Sequence, residues 1–134
     1  MSWRPGWRTA SSLAVALGLA GCGGTSQPKL AHADAAPLIV LAGRVAAGGS
    51  CGSIPIIGRR TIALVNRHRV PEALQEPLLS GVNDLSSQAA SCTSGPAATV
   101  APELDTSEVG PVPHADGAAQ QARNLQAWLS AWSG

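Results

Sequence analysis

The sequence predicts an all-α fold: a small helical hairpin or three-helix bundle stapled by a disulfide, with disordered linkers and a C-terminal amphipathic helix. Three observations support this prediction. Apolar residues recur at steps of three and four in several segments, which is the spacing of one helix face. Cys51 and Cys92 lie within the helical part of this pattern. The chain has no Phe and no Tyr, so the core must be mainly aliphatic.

The first 21 residues have the organisation of an export signal. Residues 1–8 include two arginines, residues 9–20 are mostly apolar, and small residues follow, as in secretory signals with about 7–15 apolar residues. The run ends in Leu19-Ala20-Gly21-Cys22, which resembles the lipobox of bacterial lipoproteins. The resemblance implies that residues 1–21 are a lipoprotein signal peptide and that Cys22 becomes the lipid-bearing first residue.

Three alternatives compete with the lipobox. An ordinary signal ending at Ala31-His32-Ala33 would be cut more than ten residues beyond the apolar run, which is too far. A transmembrane helix over residues 9–21 is shorter than the roughly 20 residues that span a bilayer. A core helix with a buried Cys22 conflicts with the terminal position and the basic flank. We therefore expect a lipid-anchored protein on the extracytoplasmic face of the cell membrane, because two acyl chains give stable anchoring.

Removal of 21 of the 134 residues leaves 113, which is enough for one small domain. Seven Lys and Arg then face eight Asp and Glu. The absence of a basic excess and of aromatic stacking platforms argues against nucleic-acid binding.

Cysteine usage predicts one disulfide. With Cys22 assigned to lipid, Cys51 and Cys92 form an even pair in an exported chain, for which a disulfide is the expected state. A disulfide between residues that are 41 positions apart in the sequence stabilises the fold by about 4 kcal/mol on the chain-entropy model. A catalytic thiol or a metal site would need partners at spacings that the sequence lacks.

We expect residues 22–36 to form a disordered tether and residues 37–92 to form the helical domain. Pro37 suits the first turn of a helix, which would end at Gly48-Gly49. A buried strand over residues 38–41 is the alternative. The apolar stripe of this first helix comprises Leu38, Leu41, Ala42 and Val45.

Ser53 can cap a second helix, and Val70-Pro71 ends it because the residue before proline disfavours the helical region. β-branched residues leave a strand as the alternative. Pro71 and Pro77 would frame a short helical turn, after which Pro77 begins a third helix. The stripe of that third helix comprises Leu78, Val82, Leu85, Ala89 and Cys92, which would turn Cys92 toward Cys51.

Residues 93–116 contain four prolines and four acidic residues without a helical stripe, and predict a disordered acidic linker. Residues 117–133 predict a last helix, capped by Asp116. Its stripe comprises Ala118, Ala122, Leu125, Leu129 and Trp132, widened by Trp128.

Two surfaces are candidates for contacts. The face formed by Trp128, Leu129 and Trp132 can dock on its own domain, contact a partner or lie on a membrane, and we assign it as a possible partner contact. A local basic cluster is either a solvated helix face or a contact for anionic lipid headgroups or wall polymer. It comprises Arg59, Arg60, Arg67, His68 and Arg69.

No catalytic or metal constellation stands out. The three histidines lie far apart without metal-ligand spacing, and there is no Gly-x-Ser-x-Gly motif. We expect no cofactor, no metal and no enzymatic activity.

Parts of the chain are similar to small, functionally unassigned helical lipoproteins of actinobacterial type. The similarity lies in VPEAL at residues 70–74, LSGVNDL at 79–85 and QARNLQAWL at 121–129. It implies a helical fold and no catalytic residue. The expected function is that of a non-catalytic interaction module in the envelope. A ligand-binding or sensory lipoprotein serving a membrane partner is the alternative, and a small hydrolase ranks last.

Overall fold

The computed structural model describes residues 27–93 and 95–134. This part of the chain forms four α-helices: α1 (His32–Ala46), α2 (Ser53–Asn66), α3 (Glu72–Ser87) and α4 (Ala118–Ala131), with a 3-10 turn at Ala89–Ser91. No strand is present within these residues, apart from an isolated parallel bridge between Leu30 and Ser133. The all-α prediction is confirmed.

The helices enclose one core. Helix α1 packs most extensively on α4 and also contacts α2, while α3 contacts α2 and α4. The side chains between them are mainly aliphatic, as the composition predicted, and the tryptophans of α4 supply the largest volumes. Fully buried large residues include Leu38, Ile54, Ile57, Leu74, Leu78, Leu85, Leu125, Trp128, Leu129 and Trp132.

Helix α1 begins earlier than predicted. The Leu30 N–H donates to the carbonyl of Trp132 at 2.8 Å, and the Gly134 N–H donates back to the Leu30 carbonyl at 3.0 Å. Leu30 is buried, so this pairing fixes the chain just before α1. The prediction of disorder up to residue 36 is therefore wrong from residue 27 onward. Pro37 lies inside α1 rather than in its first turn.

Left-handed residues end the first two helices. Gly48 has φ of 91°, and the next N–H, that of Gly49, reaches back to the Arg44 carbonyl at 3.2 Å, as in a Schellman motif. The predicted end of the first helix is confirmed. His68, with φ of 57°, performs the same role after α2. Helix α2 therefore ends at Asn66, before the predicted Val70-Pro71 boundary.

Helix α3 is one continuous helix, although the sequence predicted a break at Pro77. Leu74 and Leu78 are both buried on the same face, on either side of Pro77. Burial of this common face stabilises the helix despite the missing proline N–H, because helices in proteins depend mainly on tertiary packing. Leu78, Val82 and Leu85 of the predicted stripe are buried as expected, but α3 ends at Ser87, so Ala89 and Cys92 lie beyond the helix.

Residues 95–117 form an extended segment, here called the strap, that packs on the helices. Val112 is buried, and Leu104 and Val109 are half-buried against the core. The prediction of a disordered linker over residues 93–116 is therefore wrong for the strap: its scattered apolar residues enter the core although they follow no helical period.

Amide side chains of α4 hold the strap in place. Asn124 Nδ2 donates to the Pro113 carbonyl at 2.8 Å, and Gln121 Oε1 accepts from the Ala115 N–H at 2.9 Å. Both amides are buried, and neither belongs to the predicted apolar stripe of this helix. Asp116 makes no capping hydrogen bond; Gly117, with φ of 93°, precedes α4.

Candidate functional surfaces

Cys51 and Cys92 form the predicted disulfide. Cys51 lies just before α2, and Cys92 follows the 3-10 turn after α3. Their Cα atoms are 5.9 Å apart and the S–S bond is 2.08 Å long. The bond closes a loop with a sequence separation of 41, and it ties the start of α2 to the end of α3.

Cys22 and the whole predicted signal peptide, residues 1–21, lie outside the described residues, as do residues 22–26 of the predicted tether. The lipidation of Cys22 therefore stays a prediction.

The prediction that Trp128, Leu129 and Trp132 contact a partner is wrong. Their exposed fractions are only 1%, 1% and 2%. Trp128 Nε1 also donates to the Gly110 carbonyl of the strap at 2.8 Å. Helix α4 docks on its own domain, because its apolar face completes the core instead of remaining available at the surface.

The histidines are not brought together. His32, His68 and His114 are all exposed and lie on different elements. Over residues 27–93 and 95–134, no group of three or more His, Cys, Asp or Glu side chains is arranged to hold a metal ion.

One carboxylate in the strap has a shifted pKa. Hydrogen bonds from the Ser107 hydroxyl, at 2.6 Å, and from the Ser107 N–H, at 3.0 Å, hold the pKa of Asp105 below its usual value. The two hydrogen bonds between Asp105 and Ser107 form a local turn in the strap. Asp105 is exposed, so this turn does not suggest a catalytic site.

Charges are divided between the two halves of the described chain, a feature that the sequence analysis missed. Residues 27–69 carry six Lys and Arg against one carboxylate, Asp34. Residues 70–134 carry seven carboxylates against Arg123 alone. In the fold, the basic half comprises α1, α2 and their flanks, and the acidic half comprises α3, the strap and α4. Counting charges by block would have revealed this division.

Four exposed arginines of the basic half have no acidic partner in the part of the chain that the structure describes. Asp34 is engaged by Arg69, whose Nε lies 3.0 Å from Asp34 Oδ2. No carboxylate of the described residues lies within 4.0 Å of the four unpaired arginines. The four are Arg44, Arg59, Arg60 and Arg67.

An apolar surface adjoins these arginines. The solvent side of α1 presents Ala33, Pro37 and Val40, which follow one another by about one helical turn. With Ile56 of α2 they line a groove bordered by Arg44 and Arg60. We call these six residues the outer face. Val40 within it is 53% exposed.

Each helix of the described region falls short of the length and apolar character that a bilayer crossing requires.

Compared with protein-family models, curated proteins and solved structures, the chain matches none of them.

Proposed function

We propose that this protein is a lipid-anchored, extracytoplasmic envelope protein that acts as a non-catalytic interaction module. The observation that carries the proposal is the use of the cysteines. Cys51 and Cys92 are joined to each other, which leaves Cys22 as the remaining thiol, at the end of a lipobox-like sequence.

The disulfide supports an exported location. Stable structural disulfides form in oxidising compartments and are rare in the cytosol. Their presence is weak support by itself, but the basic and apolar N-terminal sequence points the same way.

The position of the core also fits cleavage before Cys22. The first buried residue of the described chain is Leu30, eight residues after Cys22. Cleavage at this point would remove none of the core that the structure describes. Cys22 lies five residues before Gln27, the first described residue, and a chain of that length spans at most about 18 Å, so the lipid would keep the domain close to the membrane.

The division of charge supports a role in contacts. Complementary charged surfaces steer association and fix the orientation of partners. The tryptophans of α4 are occupied in the core, so a partner would contact exposed side chains of the basic or acidic half.

Metabolic labelling with a fatty acid tests the anchor. We expect label on the wild-type protein and none on Cys22→Ala, which should also accumulate as the unprocessed chain. The double variant Cys51→Ser/Cys92→Ser is the matched cysteine control and should keep the label. Continued labelling of Cys22→Ala would contradict the proposed anchor.

Chemical cross-linking in intact envelopes tests the interaction role. We expect one reproducible adduct with another envelope protein. A chain that yields no specific adduct, although it is folded and anchored, would contradict this role.

A further inference from the structure

We propose that the outer face of α1 and α2 lies on an anionic lipid surface and so orients the domain on the membrane. This inference deepens the proposed function, and it rests on the anchor only for bringing the domain to the bilayer. Two independent features carry it: the apolar character of the face and its unpaired arginines.

Helix α1 has an unusually apolar exposed side. Surface helices normally direct charged or polar residues to solvent, yet Asp34 and Arg44 are the only Asp, Glu, Lys or Arg residues of α1. Val40 leaves half of its side chain exposed, and Pro37 and Ile56 lie beside it. An apolar strip bordered by cations is the pattern of helices that lie in the membrane interface.

The arginines supply the charge that an anionic surface attracts. Arg44 and Arg60 border the apolar strip, and Arg59 and Arg67 line the adjacent groove between α1 and α2. Asp34, the one carboxylate of residues 27–69, also lines this groove and pairs with Arg69 at 3.0 Å. A cluster of basic side chains without acidic partners is attracted to anionic headgroups over about one Debye length.

The connection to Cys22 brings the domain near the bilayer. Gln27 lies five residues after Cys22, a stretch that extends over at most about 18 Å, and its amide donates to the Ser107 carbonyl of the strap at 3.0 Å. Helix α3, which carries three carboxylates, packs mainly on α2 and α4. With α1 on the membrane, α3 would lie farther from the anionic lipid than α1 does.

Vesicle co-sedimentation tests this orientation without the lipid anchor. The protein is the chain from residue 22 to 134 with Cys22→Ser, which retains every buried core residue of the described structure, from Leu30 to Trp132. The probes are phosphatidylcholine vesicles with and without phosphatidylglycerol. We expect binding only to the anionic vesicles, and weaker binding as salt is added.

Two pairs of matched variants locate the contact. Arg44→Glu/Arg60→Glu should weaken binding by at least about thirtyfold, since each arginine near an anionic surface contributes roughly one kcal/mol. Arg123→Glu, exposed on α4, should not change it. Val40→Asp should weaken binding, whereas Val100→Asp, at an equally exposed valine of the strap, should not.

Three results would overturn the proposal. One is equal binding to neutral and anionic vesicles, or none to either. Another is an equal loss from Arg123→Glu and from the outer-face variants. The third is a wild-type dimer that Val40→Asp dissociates while vesicle binding is unchanged, because a second copy would then cover the face. None depends on Cys22, so the labelling experiment can fail or succeed separately.

Discussion

Trp132 shows how a residue that looks like a binding contact in the sequence can instead be part of the core. Its ring is 2% exposed, and its carbonyl accepts the Leu30 N–H that fixes the chain before α1. A single side chain thus helps to fill the interior while its backbone joins the two ends of the described chain.

We expect Trp132→Ala to lower the free energy of unfolding by about 3–5 kcal/mol, because truncation of a buried tryptophan leaves a large cavity. Urea denaturation measures the change. The control Val100→Ala, at a side chain that is 63% exposed, should stay within about 0.5 kcal/mol of wild type. A loss of less than about 1 kcal/mol for Trp132→Ala would contradict its place in the core.

Asn124 is a buried polar residue that lies outside the predicted apolar stripe of α4. It is buried because its amide donates to the Pro113 carbonyl at 2.8 Å. We expect Asn124→Ala to destabilise the fold by about 1–3 kcal/mol, the cost of leaving a buried polar group without its partner. Thermal or urea denaturation reports this change. Arg123→Ala, its exposed neighbour on α4, serves as the control, and equal effects of the two variants would argue against the contact.

At the scale of elements, the strap determines which helical glycine can be replaced by a larger residue. A Cβ atom added at Gly81 of α3 would lie 2.5 Å from Val112 Cγ2 and 3.0 Å from Val112 Cβ. At Gly58 of α2, the nearest atom to such a Cβ is Ser86 Oγ, at 3.9 Å. Both glycines lie within helices, so the difference between them comes from the strap.

We therefore expect opposite effects from two identical substitutions. Gly58→Ala should stabilise the protein by about 0.5–1 kcal/mol, since alanine is the better helix former. Gly81→Ala should destabilise it, because overpacking costs about 1–3 kcal/mol. Chemical denaturation of both variants measures the difference. Stabilisation by Gly81→Ala would mean that Val112 is not held against α3.

These elements show what the sequence could and could not predict. The helices around Leu78, Val82 and Leu85, and the helix that carries Trp128, follow from periodic apolar residues, which are local signals. The start of α1 at His32 depends on backbone hydrogen bonds to Trp132 and Gly134, far along the chain. The strap has no period, and its order depends on amides of α4 that resemble ordinary surface residues. Long-range contacts of this kind leave no local pattern.

Among the candidate sites too, some followed from the sequence and others needed the fold. The pairing of Cys51 with Cys92 followed from counting cysteines, because the predicted assignment of Cys22 to lipid left these two. The tryptophan face was assigned wrongly, since an apolar helix face looks the same whether it covers its own core or a partner. The outer face needed the fold, which brings Ile56 and Arg60 of α2 beside Val40 of α1.

At the scale of the whole molecule, the disulfide joins elements that also share a core. We expect the double variant Cys51→Ser/Cys92→Ser to lower the free energy of unfolding by about 4 kcal/mol, because the unfolded chain regains the freedom that the closed loop removed. Urea denaturation of the chain with and without the disulfide checks this, and a reducing agent should shift only the wild type. An unchanged unfolding midpoint would contradict a stabilising bridge.

The charge division and the cysteine arrangement fit the proposal of a domain with a membrane side and an outer side. Helix α2 is basic and α3 is acidic, and α3 packs mainly on α2 and α4. In this account the lipid supplies attachment, the outer face supplies orientation, and the bundle supplies a rigid body for contacts.

Mass spectrometry of the protein purified from membranes, without reduction, tests the central claim most directly. We expect the chain to begin at Cys22 with a diacylglyceryl group on its sulfur, and Cys51 and Cys92 to appear in one disulfide-linked peptide pair. A chain that begins after Ala33, or an unmodified Cys22 within a longer chain, would contradict the account.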